Sequence, residues 1–104
     1  MAIRLWDQKR APRRKVLVIY NPTSGQRNRG LYRQTLKLLA HEGCVAVVQP
    51  TSAAGEATKI ARGISPGAFD AVIAAGGDGT VNEVLNGLAA DSPPLALMPL
   101  GTAN

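Results

Sequence analysis

Residues 70–88 read DAVIAAGGDGTVNEVLNGL. The stretch 70–75 reads as a strand: after Asp70, residues 71–75 are β-branched and small apolar, the composition of a buried strand. Val81, Val84, Leu85 and Leu88 then recur at the spacing of one helical face. Between the two runs lie three glycines, one carboxylate and one hydroxyl, Gly76 to Thr80. A strand that passes through such a turn directly into a helix is the unit from which parallel α/β sheets are assembled.

The same alternation extends outward from this stretch. Towards the N-terminus, KVLVIYN (15–21) and CVAVVQ (44–49) are short β-branched runs halted by Pro22 and Pro50. Residues 29–42 lie between them, with Tyr32, Leu36 and Leu39 on one helical face and Gly43 as the stop. Thr51 or Ser52 is placed to cap a second helix, striped by Ala57, Ile60, Ala61 and Ile64 and ended by SPG at 65–67. Towards the C-terminus, Pro93 and Pro94 introduce a fourth apolar run, LALMPL (95–100). The order β-α-β-α-β-α-β, with helices long enough for right-handed crossovers, predicts a three-layer α/β/α domain with a parallel sheet of about four strands.

In a parallel sheet the C-terminal ends of all strands share one edge. The loops leaving those ends are NPTSG (21–25), TSAAG (51–55), GGDGT (76–80) and GTAN (101–104), all made of small polar residues. The opposite edge receives HEG, SPGAF and ADSPP. Ligands of open α/β sheets bind at the C-terminal edge, so the chemistry gathers where a ligand would sit.

Within GGDGT, Gly76 and Gly77 permit positive φ and bring backbone N–H groups to a ligand with no Cβ in the way. Thr80 is read as the start of the helix, whose first amides and dipole favour phosphate. Thr80 to Glu83, TVNE, also fits the capping-box pattern. The competing reading is a plain Asp-Gly turn capped by Thr80, but one glycine would serve that. The loop is neither a Walker A sequence nor a GxGxxG fingerprint. Asp78, alone among phosphate-facing amides, suits Mg²⁺ or its waters. A turn-stabilising Asx role is the alternative for it.

Composition excludes several classes. The 104 residues include 45% apolar residues, which argues against disorder. Arg4, Lys9, Arg10, Arg13, Arg14 and Lys15 face only Asp7 in the first fifteen residues, so the chain's net +5 resides there and the remainder is neutral. A neutral folded region argues against nucleic acid. Residues 1–14 therefore read as a basic flexible leader ahead of a domain spanning 15–104. The leader lacks the apolar core of a signal peptide, and no run approaches the length of about 18 apolar residues that a membrane span needs. The cytoplasm is the expected location. Ile3, Leu5 and Trp6 among the leader's basic residues raise peripheral contact with an anionic membrane face, against the simpler solvated tail. Cys44 is the single cysteine, read as a small buried residue, and His41 sits in the last turn of a helix with no catalytic role. Arg29 and Arg33 read as a solvated helix face, with Arg27 the candidate to reach phosphate.

NPTSG (21–25), GGDGTVNEVLNGL (76–88) and PLGTAN (99–104) together resemble the catalytic domain of the diacylglycerol kinase family, which includes bacterial lipid kinases and the sphingosine and ceramide kinases. GGDGT alone is shared with NAD kinases, and phosphofructokinases carry a close variant. The two flanking motifs shift the choice to lipid kinases. The resemblance implies a Rossmann- or phosphofructokinase-like nucleotide-binding subdomain and transfer of the γ-phosphate of ATP, with Mg²⁺, to the hydroxyl of a diacylglycerol-type lipid. Carried over by motif, Asn21, Ser24, Gly25 and Thr51 would lie beside the nucleotide. Gly76, Gly77, Asp78, Gly79, Thr80, Asn82 and Glu83 would form the phosphate loop, with Asp78 towards the metal, and Thr102 would complete the pocket.

The family motif normally runs on past GTAN, and the family's second, mostly β domain carries the lipid cleft and the general base. The resemblance therefore implies an N-terminal piece of a lipid kinase with weak ATP affinity, no catalytic residue of its own and no transfer activity alone. Strands flanking the fourth would also be missing, and a bare apolar edge predicts self-association as a homodimer. An NAD kinase-like enzyme and a non-catalytic nucleotide-binding module are the alternatives.

Overall fold

The computed structural model describes residues 14–23 and 28–101. The elements follow in the order β1 (Lys15–Tyr20), α1 (Arg29–His41), β2 (Val45–Pro50), α2 (Glu56–Arg62), β3 (Ala71–Gly76), α3 (Asp78–Gly87) and β4 (Leu95–Pro99). The four strands form one parallel sheet in the order β2-β1-β3-β4. Residues 1–13 of the leader, Ser24 to Arg27 and Thr102 to Asn104 lie outside the described residues; Arg14 is described, and its carbonyl accepts the Val45 amide at 2.7 Å.

This order explains where the helices lie. From β1 the chain steps one way to β2, then back past β1 to β3 and on to β4. Right-handed crossovers in opposite directions place their helices on opposite faces. Accordingly α1 packs on one face, where Tyr32, Leu36 and Leu39 meet Val16, Val18, Ile73, Ala75 and Met98. On the other face α2 and α3 bring Ala57, Ala61 and Val84 onto Leu17, Ile19, Val72 and Ala74. Alternate residues of β1 and β3 thus feed two cores, as period-2 geometry requires.

β3 is buried along almost its whole length, whereas β2 at the edge is half-exposed. β4 forms the other edge, with Leu97 57% exposed. Arg29 and Arg33 are exposed, as their solvated reading requires. Cys44 is half-buried against the α1 core, less enclosed than expected.

The helix ends correct several expectations. α1 does end at Gly43, which adopts φ 84°. Its amide donates to the Ala40 carbonyl and that of Cys44 to Leu39, the paired bonds of a Schellman motif. α2 is not capped by the side chain of Thr51 or Ser52. Its N-cap is Gly55 in the left-handed region, and Glu56 reaches back to accept the Ser52 amide at 2.6 Å. α3 begins at Asp78, not Thr80, with Gly77 as N-cap and no side-chain cap, so the TVNE capping box does not form. Thr80 is buried inside the first turn instead.

Candidate nucleotide site

At the C-terminal edge of the sheet lies a cavity of about 270 Å³ lined by Asn21, Thr23, Thr51, Ser52, Ala53, Ala54, Gly79, Thr80 and Glu83. Three strands supply its walls through the loops after β1, β2 and β3. β1 and β3 are neighbours whose connections leave in opposite directions, so their carboxyl ends flank the topological switch point.

Each wall has its own support. Asn21 closes a local turn in which its Oδ1 accepts both the Thr23 amide at 3.1 Å and the Thr23 hydroxyl at 2.7 Å. Its backbone amide donates to the Ala75 carbonyl at 2.9 Å, tying this loop to the end of β3. Thr51 is buried, and its amide donates to the Tyr20 carbonyl at 2.8 Å, which continues the β1–β2 ladder into the loop. The Thr51 hydroxyl stands 3.4 Å from that same carbonyl. The third wall is the first turn and a half of α3, whose free amides and positive dipole end favour an anion.

The positive φ expected of Gly76 and Gly77 does not occur. Positive φ occurs at Gly43, Gly55 and Gly67 among the described residues, whereas Gly77 is extended, with φ −92° and ψ −167°. Gly77 instead lies against Gly101: a Cβ at Gly101 would stand 2.8 Å from the Gly77 Cα. Two motifs 24 positions apart therefore touch backbone to backbone, which no residue with a side chain at Gly101 would allow in this geometry. The Leu100 amide donates to the Gly76 carbonyl at 3.0 Å, and the Asn28 side-chain amide to the Leu100 carbonyl at 3.1 Å. Gly79 is the open glycine, with nothing within 4 Å of a Cβ built on it.

Of the residues expected from sequence, Asn21, Thr51, Gly79, Thr80 and Glu83 come together on the cavity. Gly76 and Gly77 adjoin it at the end of β3. Asp78 and Asn82 are exposed on α3 and do not line it. Ser24, Gly25, Arg27 and Thr102 lie outside the described residues. Thr23, Ser52, Ala53 and Ala54 also line the cavity, from the NPTSG and TSAAG loops, though the motifs name none of them as a site residue. Their signal was the shared small-residue composition.

The charge at the cavity is sparse. Among the described residues, Glu83 is its single ionisable lining residue and no lysine or arginine lines it. No cluster of three or more His, Cys, Asp or Glu side chains able to hold a metal occurs among them either. A donor set of one or two carboxylates, Asp78 and Glu83, fits Mg²⁺ that keeps its waters and takes its other ligands from phosphate. It does not fit a protein-enclosed metal. Beside the cavity, Glu56 is held below the ordinary glutamate pKa, chiefly by the hydrogen bond from the Ser52 amide.

Behind the β1 loop, Tyr20 and Tyr32 stack with ring centroids 4.0 Å apart and 9° between planes. Burial, with Tyr20 adding to it, raises the pKa of Tyr32.

Comparison with known proteins decides the family. Residues 15–104 match the diacylglycerol kinase catalytic domain. The chain belongs to that family. It is 41% identical over 97 residues to a diacylglycerol kinase of Bacillus subtilis (strain 168), covering 88% of this chain and 31% of that protein. It is 42% identical over 96 residues to a diacylglycerol kinase of Staphylococcus aureus (strain MRSA252), covering 88% of this chain and 30% of the relative. Among solved structures, a diacylglycerol kinase of Bacillus anthracis str. Sterne superposes with a TM-score of 0.75 at 35% identity, over 90% of this chain and 35% of that one. The chain thus spans about a third of the length of the relatives it matches. No helix among the described residues is long and apolar enough to cross a membrane.

Proposed function

We propose that residues 15–104 form the ATP-binding part of a lipid kinase that phosphorylates a diacylglycerol-type hydroxyl. The observation that carries this reading is the switch-point cavity. Hydroxyls, amides and one helix N-terminus converge there, in a chain of the diacylglycerol kinase family.

The division of labour follows from the geometry. The phosphates would lie against Gly79, Thr80 and the first amides of α3, with Gly79 letting an oxygen approach the backbone. Asn21, Thr23 and Thr51 to Ala54 would hold the rest of the nucleotide, and Glu83 would accept hydrogen bonds from its hydroxyls or amino group. By the family's motifs, Ser24, Gly25 and Thr102 would add further contacts. Asp78 stands at the N-terminal end of α3 and would orient water on Mg²⁺. When bound, the ion neutralises phosphate charge and aligns the transferred group. Among the described residues the phosphates would meet backbone dipoles and hydroxyls and no basic side chain, which leaves this ion a large share of the charge neutralisation. Binding of free ATP should therefore be much weaker than binding of Mg-ATP.

Phosphoryl transfer also needs a lipid site and a base for the acceptor hydroxyl. On this reading residues 15–104 bind nucleotide, and no phosphate transfer is expected of the chain alone. Isothermal titration of the chain with Mg-ATP, free ATP and Mg-GTP tests the binding reading. Weak Mg-ATP binding lost in Asp78→Asn is the expected outcome. No heat and no saturation at millimolar Mg-ATP would reject it. Assaying a longer form of the protein with γ-labelled ATP against a lipid panel then tests the kinase reading, and absence of any lipid product would favour a non-catalytic module.

A further inference from the structure

The cavity has two walls carried by different helices. Thr51 to Ala54 run into α2 through Gly55, and the bond from the Ser52 amide to Glu56 makes this loop move with the helix. Gly79, Thr80 and Glu83 belong to α3. The width of the cavity is therefore set by how α2 and α3 sit against each other on the sheet.

Thr58 lies at that junction, half-buried on α2, and lines neither wall. Its hydroxyl donates to the main-chain carbonyl of Glu83 at 2.8 Å. One turn later along α3, a Cβ on Gly87 would stand only 2.3 Å from the carbonyl oxygen of Thr58 and 2.9 Å from the Ala61 Cβ. So Thr58 meets α3 twice, by its hydroxyl at a cavity residue and by its backbone at a glycine. A helix carbonyl accepts the amide four residues on and keeps a second lone pair. The Thr58 hydroxyl can use that lone pair without breaking α3.

We propose that Thr58 is a positioning residue for the nucleotide site, and that its hydroxyl fixes the register of the two walls. Ala57, Ala61 and Val84 also join the helices, but through dispersion contacts that change little when small side chains slide past one another. A hydrogen bond is directional and resists that sliding. Its acceptor belongs to Glu83, so a shift of α3 along α2 moves the single charged residue of the described lining relative to Ser52 to Ala54.

The inference rests on the nucleotide reading above, and its test separates the two. Thr58→Val keeps the branched shape and removes the donor, while Thr58→Ser keeps the hydroxyl. The expected result is a loss of about fivefold in Mg-ATP affinity for Thr58→Val, with Thr58→Ser within about twofold of the unaltered chain. In the nucleotide-free chain, the backbone amide resonances of Ser52 to Ala54 should shift in Thr58→Val and return in Thr58→Ser. Unchanged affinity in Thr58→Val overturns the proposal, even where its Tm falls, since that pattern marks a residue of stability alone. If the unaltered chain binds no nucleotide, the nucleotide reading fails and the amide resonances decide the coupling. Unmoved Ser52 to Ala54 signals then overturn it. Thr58→Ala is the second donor-deleted variant, to be read in the same way should Thr58→Val not fold.

Discussion

Gly87→Ala should unfold this chain more easily, although alanine is the better helix former. In an unpacked helix the change would gain at most about 1 kcal/mol. Here the new methyl would meet the Thr58 carbonyl at 2.3 Å, the Ala61 Cβ at 2.9 Å and the Arg62 amide nitrogen at 3.1 Å. Two of these are backbone atoms of a helix that cannot swing aside as a side chain can. Relieving the carbonyl contact requires α2 and α3 to separate by roughly an ångström, since carbon and oxygen pack at about 3.3 Å or more. Overpacking of this kind costs about 1–3 kcal/mol, and loss of the Thr58–Glu83 hydrogen bond adds about 1 kcal/mol. Set against the propensity gain, the net destabilisation is about 2 kcal/mol. For a domain of this size that lowers Tm by roughly 10 °C. Thermal unfolding followed by circular dichroism measures it directly. A variant as stable as the unaltered chain, or more stable, would refute the close crossing of α2 and α3.

Gly79→Ala makes the opposite prediction from the same substitution. A Cβ there meets nothing within 4 Å, and Gly79 lines the cavity, so Tm should hold or rise by a few degrees while Mg-ATP affinity falls by about tenfold or more. Glu56 has its pKa lowered by the Ser52 amide, so its stabilisation is complete above the unfolded-state value and is lost as pH falls through the folded one. A carbon-detected pH titration should give Glu56 a lower midpoint than in an unfolded peptide of the same sequence, and equal midpoints would remove the Ser52 contact. The β4 edge, where Leu97 is 57% exposed, should support concentration-dependent self-association in sedimentation velocity. Leu97→Lys should shift the chain towards monomer, and an unaltered chain that is monomeric at high concentration would reject this edge as a contact.

Much of the fold follows from local pattern. Four apolar runs and three amphipathic stripes, separated by proline and glycine, dictate an alternating parallel sheet because each segment can bury its apolar side in only one way. The helix faces were legible for the same reason: Tyr32, Leu36 and Leu39 on α1, Ala57 and Ala61 on α2, and Val84 on α3 all meet the sheet. The site was legible as a set of loops with common composition. Helix starts were less so. A threonine or serine near a helix N-terminus reads as a cap, yet α2 and α3 both start on glycine, with Thr51 and Thr80 buried in the cavity wall instead.

What the sequence determines by itself is therefore the order of elements, their inward faces and the family, because these depend on periodicity and on short motifs. What tertiary structure decides is the use made of each glycine and hydroxyl. Gly101 is small because its backbone lies on that of Gly77, Gly87 because two helices cross, and Gly79 has open space around it at the cavity. In sequence these four glycines look alike. Only the approach of segments far apart along the chain separates them, since a missing Cβ acquires a meaning from the atom that would otherwise collide with it. Thr58 shows the same dependence: it reads as an ordinary helical residue until the Glu83 carbonyl is found 2.8 Å from its hydroxyl.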